Sequence, residues 1–296
     1  MSANKYFLFL RHKIYILDTQ LIHQFIKNAL AEDVGDGDHT SLSTIPPGTQ
    51  GKAKLIIKED GVLAGVELAL EIFKEVDAKL KVDVLLQDGV AVKVGDIALT
   101  VSGSTHAILI AERLVLNCMQ RMSGIATKTH RIVSLLKTTK TKILDTRKTT
   151  PGLRYLEKWA VRIGGGVNHR IGLYDMILIK DNHVDYAGGI SNAITAAKKY
   201  LINKNKSLQI EIEVRNLEEL SQVLAIGGVD RIMLDNFSFE NLRAAVKLID
   251  GKFITEASGG ITEENVEEYA ACGVDFISMG ALTHSVKSLD MSLKAY

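Results

Sequence analysis

The chain reads as an α/β protein in two parts, an α+β unit over residues 1–116 and a parallel β/α barrel over residues 117–284. Three observations predict this. The texture of the sequence changes near Leu116, six strand-like runs then alternate with helical stretches, and no G-x-G-x-x-G follows any of those runs. Repeated βα units imply parallel strands joined by right-handed crossovers, which a barrel or an open doubly wound sheet would both satisfy. The missing glycine fingerprint, the usual mark of a dinucleotide-binding open sheet, favours the barrel.

The elements follow in order. At the start, KYFLFLRHKIYIL holds an apolar stretch shorter than a secretory core and cut by Arg11, His12 and Lys13. It reads as an extra edge strand or a frayed start, not a targeting segment. LIHQFIKNALAED has helical spacing, and KAKLIIKED, KVDVLLQDG and IALTVSG read as strands, with VELALEIFKEVDA an amphipathic helix among them. The apolar helix HAILIAERLVLNCMQRMSG is expected to cross into the second unit. There the strands are ILDTR (143–147), MILIKD (176–181), QIEIEV (209–214), RIMLDN (231–236), FITEAS (253–258) and FISMG (276–280), and helices such as ISNAITAAKKYL, NLEELSQVLAIG, FENLRAAVKLI and TEENVEEYAACG lie between them.

Bulk properties narrow the function. Lys+Arg (36) and Asp+Glu (35) nearly cancel, so no global field draws nucleic acid or an anionic membrane, and any anion site must be local. No window approaches the ~18 apolar residues of a membrane span. Cys118 and Cys272 lie too far apart for a metal-ligand spacing and form no disulfide framework, which suits a reducing cytoplasm.

The C-terminal ends of the barrel strands carry the informative residues: Arg147, Lys180, Glu213, Asp235, Ser258 and Gly280, separated by 33, 33, 22, 23 and 22 residues. Each step is about one βα unit, and barrel active sites lie at that edge. Alternation places Glu211 and Glu213, Arg231 and Asp235, and Met176, Leu178 and Lys180 inside the barrel, with Ile143, Asp145 and Arg147 as the inward set of the first strand. The deeper charges (Asp145, Glu211, Arg231, Glu256) are expected to pair with one another as scaffold, and the upper ones to open onto the mouth.

A cluster of basic side chains spans 34 residues, with Arg147, Lys148, Arg154, Arg162, His169, Arg170 and Lys180 the candidates at its strand ends and loops. Arginine forks and lysine point charges suit carboxylates and phosphates, so three or more around one mouth imply a substrate with more than one anionic group. Arg154 and Arg162 read as solvated surface. Glu213 and Asp235, at neighbouring strand ends, could hold sugar hydroxyls, coordinate Mg²⁺, or simply pair with Lys180. ASGGI (257–261) and SMGA (278–281) supply the glycine gaps that phosphate sites after late barrel strands use. Arg113, beside Glu112, could pair locally or project into a pocket. His39 and His183 show no metal-ligand spacing.

DTRKTTPGLR, GGGVNHRIGLYDMILIKDNH, IEIEV, MLDN, EASGGI and ISMG, in this order and spacing, resemble the quinolinate phosphoribosyltransferase family, the carboxylating nicotinate-nucleotide pyrophosphorylases. ALAEDVGDGDHTS and AERLVLN extend the likeness to residue 21, with His39 a departure from the family's usual aliphatic residue. The resemblance implies a type II phosphoribosyltransferase fold: an N-terminal α/β sandwich, an incomplete TIM-like barrel, and a tail, 285–296, that packs back on the sandwich. It also implies condensation of quinolinate with phosphoribosyl pyrophosphate (PRPP), in a cytoplasmic homodimer or higher oligomer without nucleic-acid or membrane partners. By the same resemblance Arg147, His169, Arg170 and Lys180 line the quinolinate pocket and a neighbouring subunit adds Arg113. Glu213 and Asp235 lie near the ribose hydroxyls and Mg²⁺, and Lys148, Ser258, Gly259, Gly260, Ser278 and Gly280 meet the phosphates. Lys148, Lys180, Glu213 and Asp235 are the expected catalytic groups. The rival readings are a paralogue acting on another base, a Schiff-base aldolase using Lys180, and a non-catalytic ligand-binding protein.

Overall fold

A computed structural model describes residues 19–296. The expected N-terminal edge strand or frayed start lies outside them. Helix α1 (Thr19–Val34) buries Ile22 and Ile26, one turn apart, and α2 (His39–Thr44) is capped by Asp38, whose carboxylate accepts from the Ser41 N–H. Strand β1 (Gln50–Ile57) buries Ala53, Leu55 and Ile57 in strict alternation. After the short β2 (Gly61–Val62), α3 (Val66–Val76) presents Leu68, Ala69, Ile72 and Phe73 to the core. Then come β3 (Lys81–Val84), β4 (Ala91–Val92), which pairs with β2, and β5 (Ile97–Ser104).

Helix α4 (Thr105–Leu135) starts at Ser104, whose hydroxyl accepts from the Ala107 N–H, and runs through residue 116 without a break. At 31 residues it is about 46 Å long. One helix therefore belongs to both units, and its two ends carry side chains to both.

The second unit contains β6 (Lys142–Leu144), α5 (Arg154–Ile163), β7 (Ile177–Ile179), α6 (Asp181–Ala187), α7 (Ile190–Asn203), β8 (Ile210–Val214), α8 (Leu217–Ile226), β9 (Arg231–Asp235), α9 (Phe239–Ile249), β10 (Ile254–Ser258), α10 (Val266–Ala271), β11 (Phe276–Ser278) and α11 (Ala281–His284). Its six strands are all parallel, in the order β6-β11-β10-β9-β8-β7. The sheet does not close on itself. β6 and β7 lie at opposite edges, and on the side of β6 away from β11 runs the Val167 segment, held by a bridge to Leu144. The last strand, β12 (Met291–Ala295), leaves the barrel and pairs antiparallel with β1, giving an N-terminal sheet of order β12-β1-β5-β3.

Cross-strand register settles the faces. Val214, Leu234, Ala257, Ile277 and Ile143 are successive partners across the sheet, and all sit in the apolar core under the helices. Glu213, Met233 and Glu256 share the opposite, inner face, as do Ser258 with Asp235 and Ser278 with Leu144. The expected inward set of the first strand is thus off by one residue: Ile143 points outward and Leu144 inward. β6 has only three residues, too few to impose alternation beyond Leu144, and Asp145 turns toward α5, where its charge finds a partner.

Helix α5 was not among the expected helices, because RYLEKWAVRI carries Glu157 and Lys158 in the middle of its buried run. Both are 1% exposed. The expected solvation of Arg154 and Arg162 is also corrected. Arg154, at the start of α5, donates to Thr149 Oγ1 (3.0 Å) and to the Ile171 carbonyl (3.1 Å), tying two mouth loops together. Arg162 is half-buried.

Candidate active site

The mouth at the C-terminal strand ends is built from two loops, four strand tips and one short turn. Beyond β6 the chain carries Arg147 and Lys148, both exposed. The loop is pinned from below: the Lys148 N–H donates to Thr146 Oγ1 (3.0 Å), the Thr150 N–H to Glu157 Oε2 (3.1 Å), and the Lys148 carbonyl accepts from Thr283 Oγ1 (2.8 Å). No hydrogen bond or ion pair to the Arg147 side chain is present among the described residues.

His169 and Arg170 arrive from the glycine-rich segment that precedes β7. Their position is set by Asp145, which is fully buried and accepts from Lys158 Nζ, Asn168 Nδ2 and the His169 N–H (2.9 Å). Lys158 also donates to the His169 carbonyl (3.1 Å). Burial raises the Asp145 pKa and lowers that of Lys158, with each charge opposing the shift of the other. The pair is thus a costly buried charge couple whose product is the placement of residues 168–170. The expectation that Asp145 would pair within the barrel is corrected here: its partner lies on α5.

The His169 ring is buried. Its Nδ1 accepts from the Arg170 N–H (2.8 Å), so a neutral ring carries its proton on Nε2. That nitrogen lies 3.0 Å from Glu211 Oε2 and 3.5 Å from Glu256 Oε2, off the line of a hydrogen bond. Desolvation pushes the His169 pKa down. Glu211 is raised by burial, and Glu256 is pushed up to about 7 by burial and then by the Glu211 charge. Arg231 donates to Glu256 Oε2 at 2.9 Å. Of the deeper charges, then, Arg231, Glu211 and Glu256 do form one buried layer beneath the mouth.

Arg170 is half-buried and donates to the Met176 carbonyl (3.3 Å). Burial, followed by the nearby Arg147 guanidinium, lowers its pKa. The two guanidiniums thus repel one another at the rim. On the next strand tip, Lys180 Nζ donates to Glu213 Oε2 (2.9 Å), and its backbone N–H donates to His183 Nδ1 (3.0 Å). His183 therefore serves the start of α6. At the tip of β9 the half-buried Asp235 accepts from Asn236 Nδ2 (2.6 Å).

Two glycines shape the far side. Gly259 has φ +92°, and a Cβ there would stand 2.2 Å from Asn236 Oδ1 and 2.9 Å from the Asn236 nitrogen. Only glycine lets the ends of β9 and β10 approach so closely. At Gly280 a Cβ would meet Lys148 Cδ at 2.9 Å. Lys148 thus lies directly against the turn after β11. Ser258 and Ser278 share the inner face with Asp235 and Leu144, whereas Gly260 faces open space. Arg113, on the exposed face of α4, makes no ion pair with Glu112, so the local-pair reading of that residue is not realised.

Two side-chain sets could hold a cation. His169, Glu211 and Glu256 offer one nitrogen and two oxygens within 4.8 Å of one another, but Arg231 already serves Glu256 and the Arg170 charge faces Glu211. That layer is countercharge for the cations around it. Glu213 and Asp235 fit a hard divalent ion better: both offer oxygen, they stand on neighbouring strand tips, and the protein engages one oxygen of each.

Sequence reasoning missed Arg121, Glu157, Lys158, Asn168 and Thr283, the residues that hold the mouth loops. The readable signal was RYLEKWAVRI itself, where helical spacing of Leu156, Trp159 and Ala160 would have put Glu157 and Lys158 beside the core.

An open parallel barrel whose mouth gathers unneutralised cations opposite glycine turns and paired carboxylates defines an enzyme acting on multiply anionic, phosphate-bearing substrates. Residues 38–123 match the family described as quinolinate phosphoribosyl transferase, N-terminal domain, and residues 125–294 match its C-terminal domain. The chain belongs to the quinolinate phosphoribosyltransferase family. It is 51% identical over 284 residues to the Arabidopsis thaliana chloroplastic nicotinate-nucleotide pyrophosphorylase [carboxylating], covering 91% of this chain and 81% of that protein. A probable nicotinate-nucleotide pyrophosphorylase [carboxylating] of Bacillus subtilis is 43% identical, with 92% of each chain covered. The NadC crystal structure from Streptococcus pyogenes superposes with a TM-score of 0.89 at 39% identity, covering 95% of this chain and 98% of that one.

Proposed function

We propose that this protein condenses quinolinate with PRPP to give nicotinate mononucleotide, pyrophosphate and CO₂, the step that enters pyridine nucleotides into de novo NAD synthesis. The observation that carries the reading is the repulsion between the Arg147 and Arg170 guanidiniums at the mouth, with no carboxylate among the described residues bound to Arg147. Like charges held together at a rim cost energy unless the ligand neutralises them, and a pyridine dicarboxylate brings two negative groups.

In this reading Arg147 and Arg170 take the quinolinate carboxylates, with Lys180 and the His169 layer closing the pocket from below. Lys148 meets the pyrophosphate beside the Gly259 and Gly280 turns. As the bond from the ribosyl C1 to pyrophosphate breaks, positive charge grows on the sugar, and the Glu213 and Asp235 carboxylates stabilise it. The pyridine nitrogen supplies the electron pair for the new C–N bond. The ring then carries N⁺, which stabilises the carbanion left when the neighbouring carboxylate departs as CO₂, and a proton takes its place. No protein nucleophile is needed. Glu213 and Asp235 would hold Mg²⁺ arriving with PRPP, which when bound supplies charge neutralisation for the departing pyrophosphate.

Arg113, exposed and without a hydrogen bond or ion pair among the described residues, supports a homodimer in which each subunit lends this residue to its neighbour's pocket. Both cysteines are free and buried, which suits a reducing compartment such as the cytoplasm, although the plant relatives are named as chloroplastic or mitochondrial. Among the described residues no helix is long and apolar enough to cross a membrane. Against a Schiff-base aldolase, Lys180 is exposed and ion-paired, whereas an imine-forming lysine is desolvated. The test is pyrophosphate release with quinolinate, PRPP and Mg²⁺ together and with each omitted in turn. Release that persists without quinolinate, or that never occurs, rejects the reading.

A further inference from the structure

Two cations on α4 have no place in the chemistry proposed above, yet they reach the site's floor. Arg121 and Lys128 are seven residues apart, two helical turns, and so share one face. Arg121 donates through Nε (2.8 Å) and NH2 (2.5 Å) to Glu157 Oε1, through NH2 to Thr150 Oγ1 (2.9 Å), and to the Thr283 carbonyl (3.1 Å). Lys128 Nζ donates to the Ala281 and Ser285 carbonyls, each at 2.7 Å.

These contacts lie on both sides of one gap. Thr150 and Glu157 hold the loop that carries Lys148, while Ala281, Thr283 and Ser285 form the turn that follows Gly280. The Thr283 hydroxyl closes the circuit by donating to the Lys148 carbonyl. Helix α11 is a single turn, too short to satisfy its own carbonyls, and the two α4 cations take up those of Ala281 and Thr283 and that of Ser285 just beyond it. The gap itself is narrower than a methyl group allows, since a Cβ on Gly280 would press on Lys148.

We infer that Arg121 and Lys128 are positioning residues that hold Lys148 against the Gly280 turn and so set the pyrophosphate side of the site. The inference rests on the function proposed above for its substrate, but not for its geometry. On the quinolinate side Asp145 and Lys158 hold the segment of His169 and Arg170, and only Arg147 shares the Lys148 loop, so loosening the Gly280 turn should act mainly on the pyrophosphate side.

The test compares the wild-type enzyme with Arg121→Ala, Arg121→Lys and Lys128→Met. The readouts are KM for each substrate, thermal midpoint, and binding of inorganic pyrophosphate by titration calorimetry. Misplacing a binding group by about 1 Å can cost up to ~100-fold, so a rise of roughly tenfold or more in KM for PRPP is expected for Arg121→Ala and Lys128→Met. KM for quinolinate should stay within about threefold for Lys128→Met, which leaves the ties of the Arg147 loop to Glu157 in place, and Arg121→Lys should recover part of the loss. Pyrophosphate affinity should weaken in parallel. A fall in thermal midpoint with unchanged KM for PRPP and unchanged pyrophosphate affinity would overturn the inference and leave a plain strut. If Arg121→Ala fails to fold, Lys128→Met, which keeps the Arg121–Glu157 pair, still decides. Wild-type protein inactive on quinolinate and PRPP would reject the proposed function instead, and the pyrophosphate titration would still test the clamp.

Discussion

Asp145→Asn is the sharpest perturbation of the scaffold under the cation cluster. The substitution keeps the size of the side chain and removes its charge. Lys158 is then left 1% exposed with its ion pair gone, while Asn168 and the His169 N–H face a weaker acceptor. Removing one member of a buried ion pair typically costs about 3–5 kcal/mol, because the orphaned charge keeps its desolvation penalty. Lys158→Met removes the other partner, but Asp145 retains two donors and its raised pKa lets it take up a proton, so a smaller loss of roughly 1–3 kcal/mol is expected. The double variant should lose less than the sum, with a coupling of about 2 kcal/mol or more. Urea unfolding followed by Trp159 fluorescence reads this directly, since Trp159 is the single tryptophan and adjoins Lys158 on α5. A loss below about 1 kcal/mol for Asp145→Asn, or additive single effects, refutes the buried-pair reasoning.

Three further outcomes are expected. Arg147→Ala removes a charge-assisted carboxylate contact, and at about 1.5–3 kcal/mol per bond a two-bond fork predicts a roughly 100-fold or greater fall in kcat/KM for quinolinate with little change in KM for PRPP; near-normal quinolinate kinetics would remove Arg147 from the pocket. Gly259→Ala combines a positive φ with a Cβ 2.9 Å from the Asn236 nitrogen, and should lower the urea midpoint by the equivalent of ~2 kcal/mol or more together with PRPP affinity. Glu256 is raised to about 7 in a layer with Glu211, His169, Arg231 and Ser278. A raised acid stabilises the fold while protonated, so this contribution is full below about pH 4.5 and fades as pH rises through about 7. Glu256→Gln should therefore gain stability relative to wild type by roughly 3 kcal/mol between pH 4 and pH 8, as urea midpoints will show. A pH-independent difference contradicts the assigned protonation.

Much of this architecture was legible from residues alone, for identifiable reasons. Strands β8 to β10 are flanked by helices and long enough to alternate, so Glu211, Glu213, Arg231 and Asp235 declared their inner face by period two. The strand-end register located the mouth because each step between the six strand ends spans about one βα unit, two of 33 residues and three of 22 or 23. What stayed hidden was the support beneath it. β6 is too short for alternation to govern Asp145, and binary patterning treats Glu157 and Lys158 as solvent-facing. Only their partners, Arg121 and Asp145, explain why two consecutive charges sit in the core. Arg154 misled for the same reason: its hydroxyl and carbonyl acceptors lie 5 and 17 residues away, and sequence spacing does not display them.

The most direct measurement follows carbon from quinolinate carrying an isotopic label in the carboxylate next to the ring nitrogen. With PRPP and Mg²⁺ present, labelled CO₂, pyrophosphate and nicotinate mononucleotide should appear in equal amounts, and no labelled CO₂ should form without PRPP. Pyrophosphate release without labelled CO₂, or turnover only with a different base, would contradict the assignment of this mouth to quinolinate.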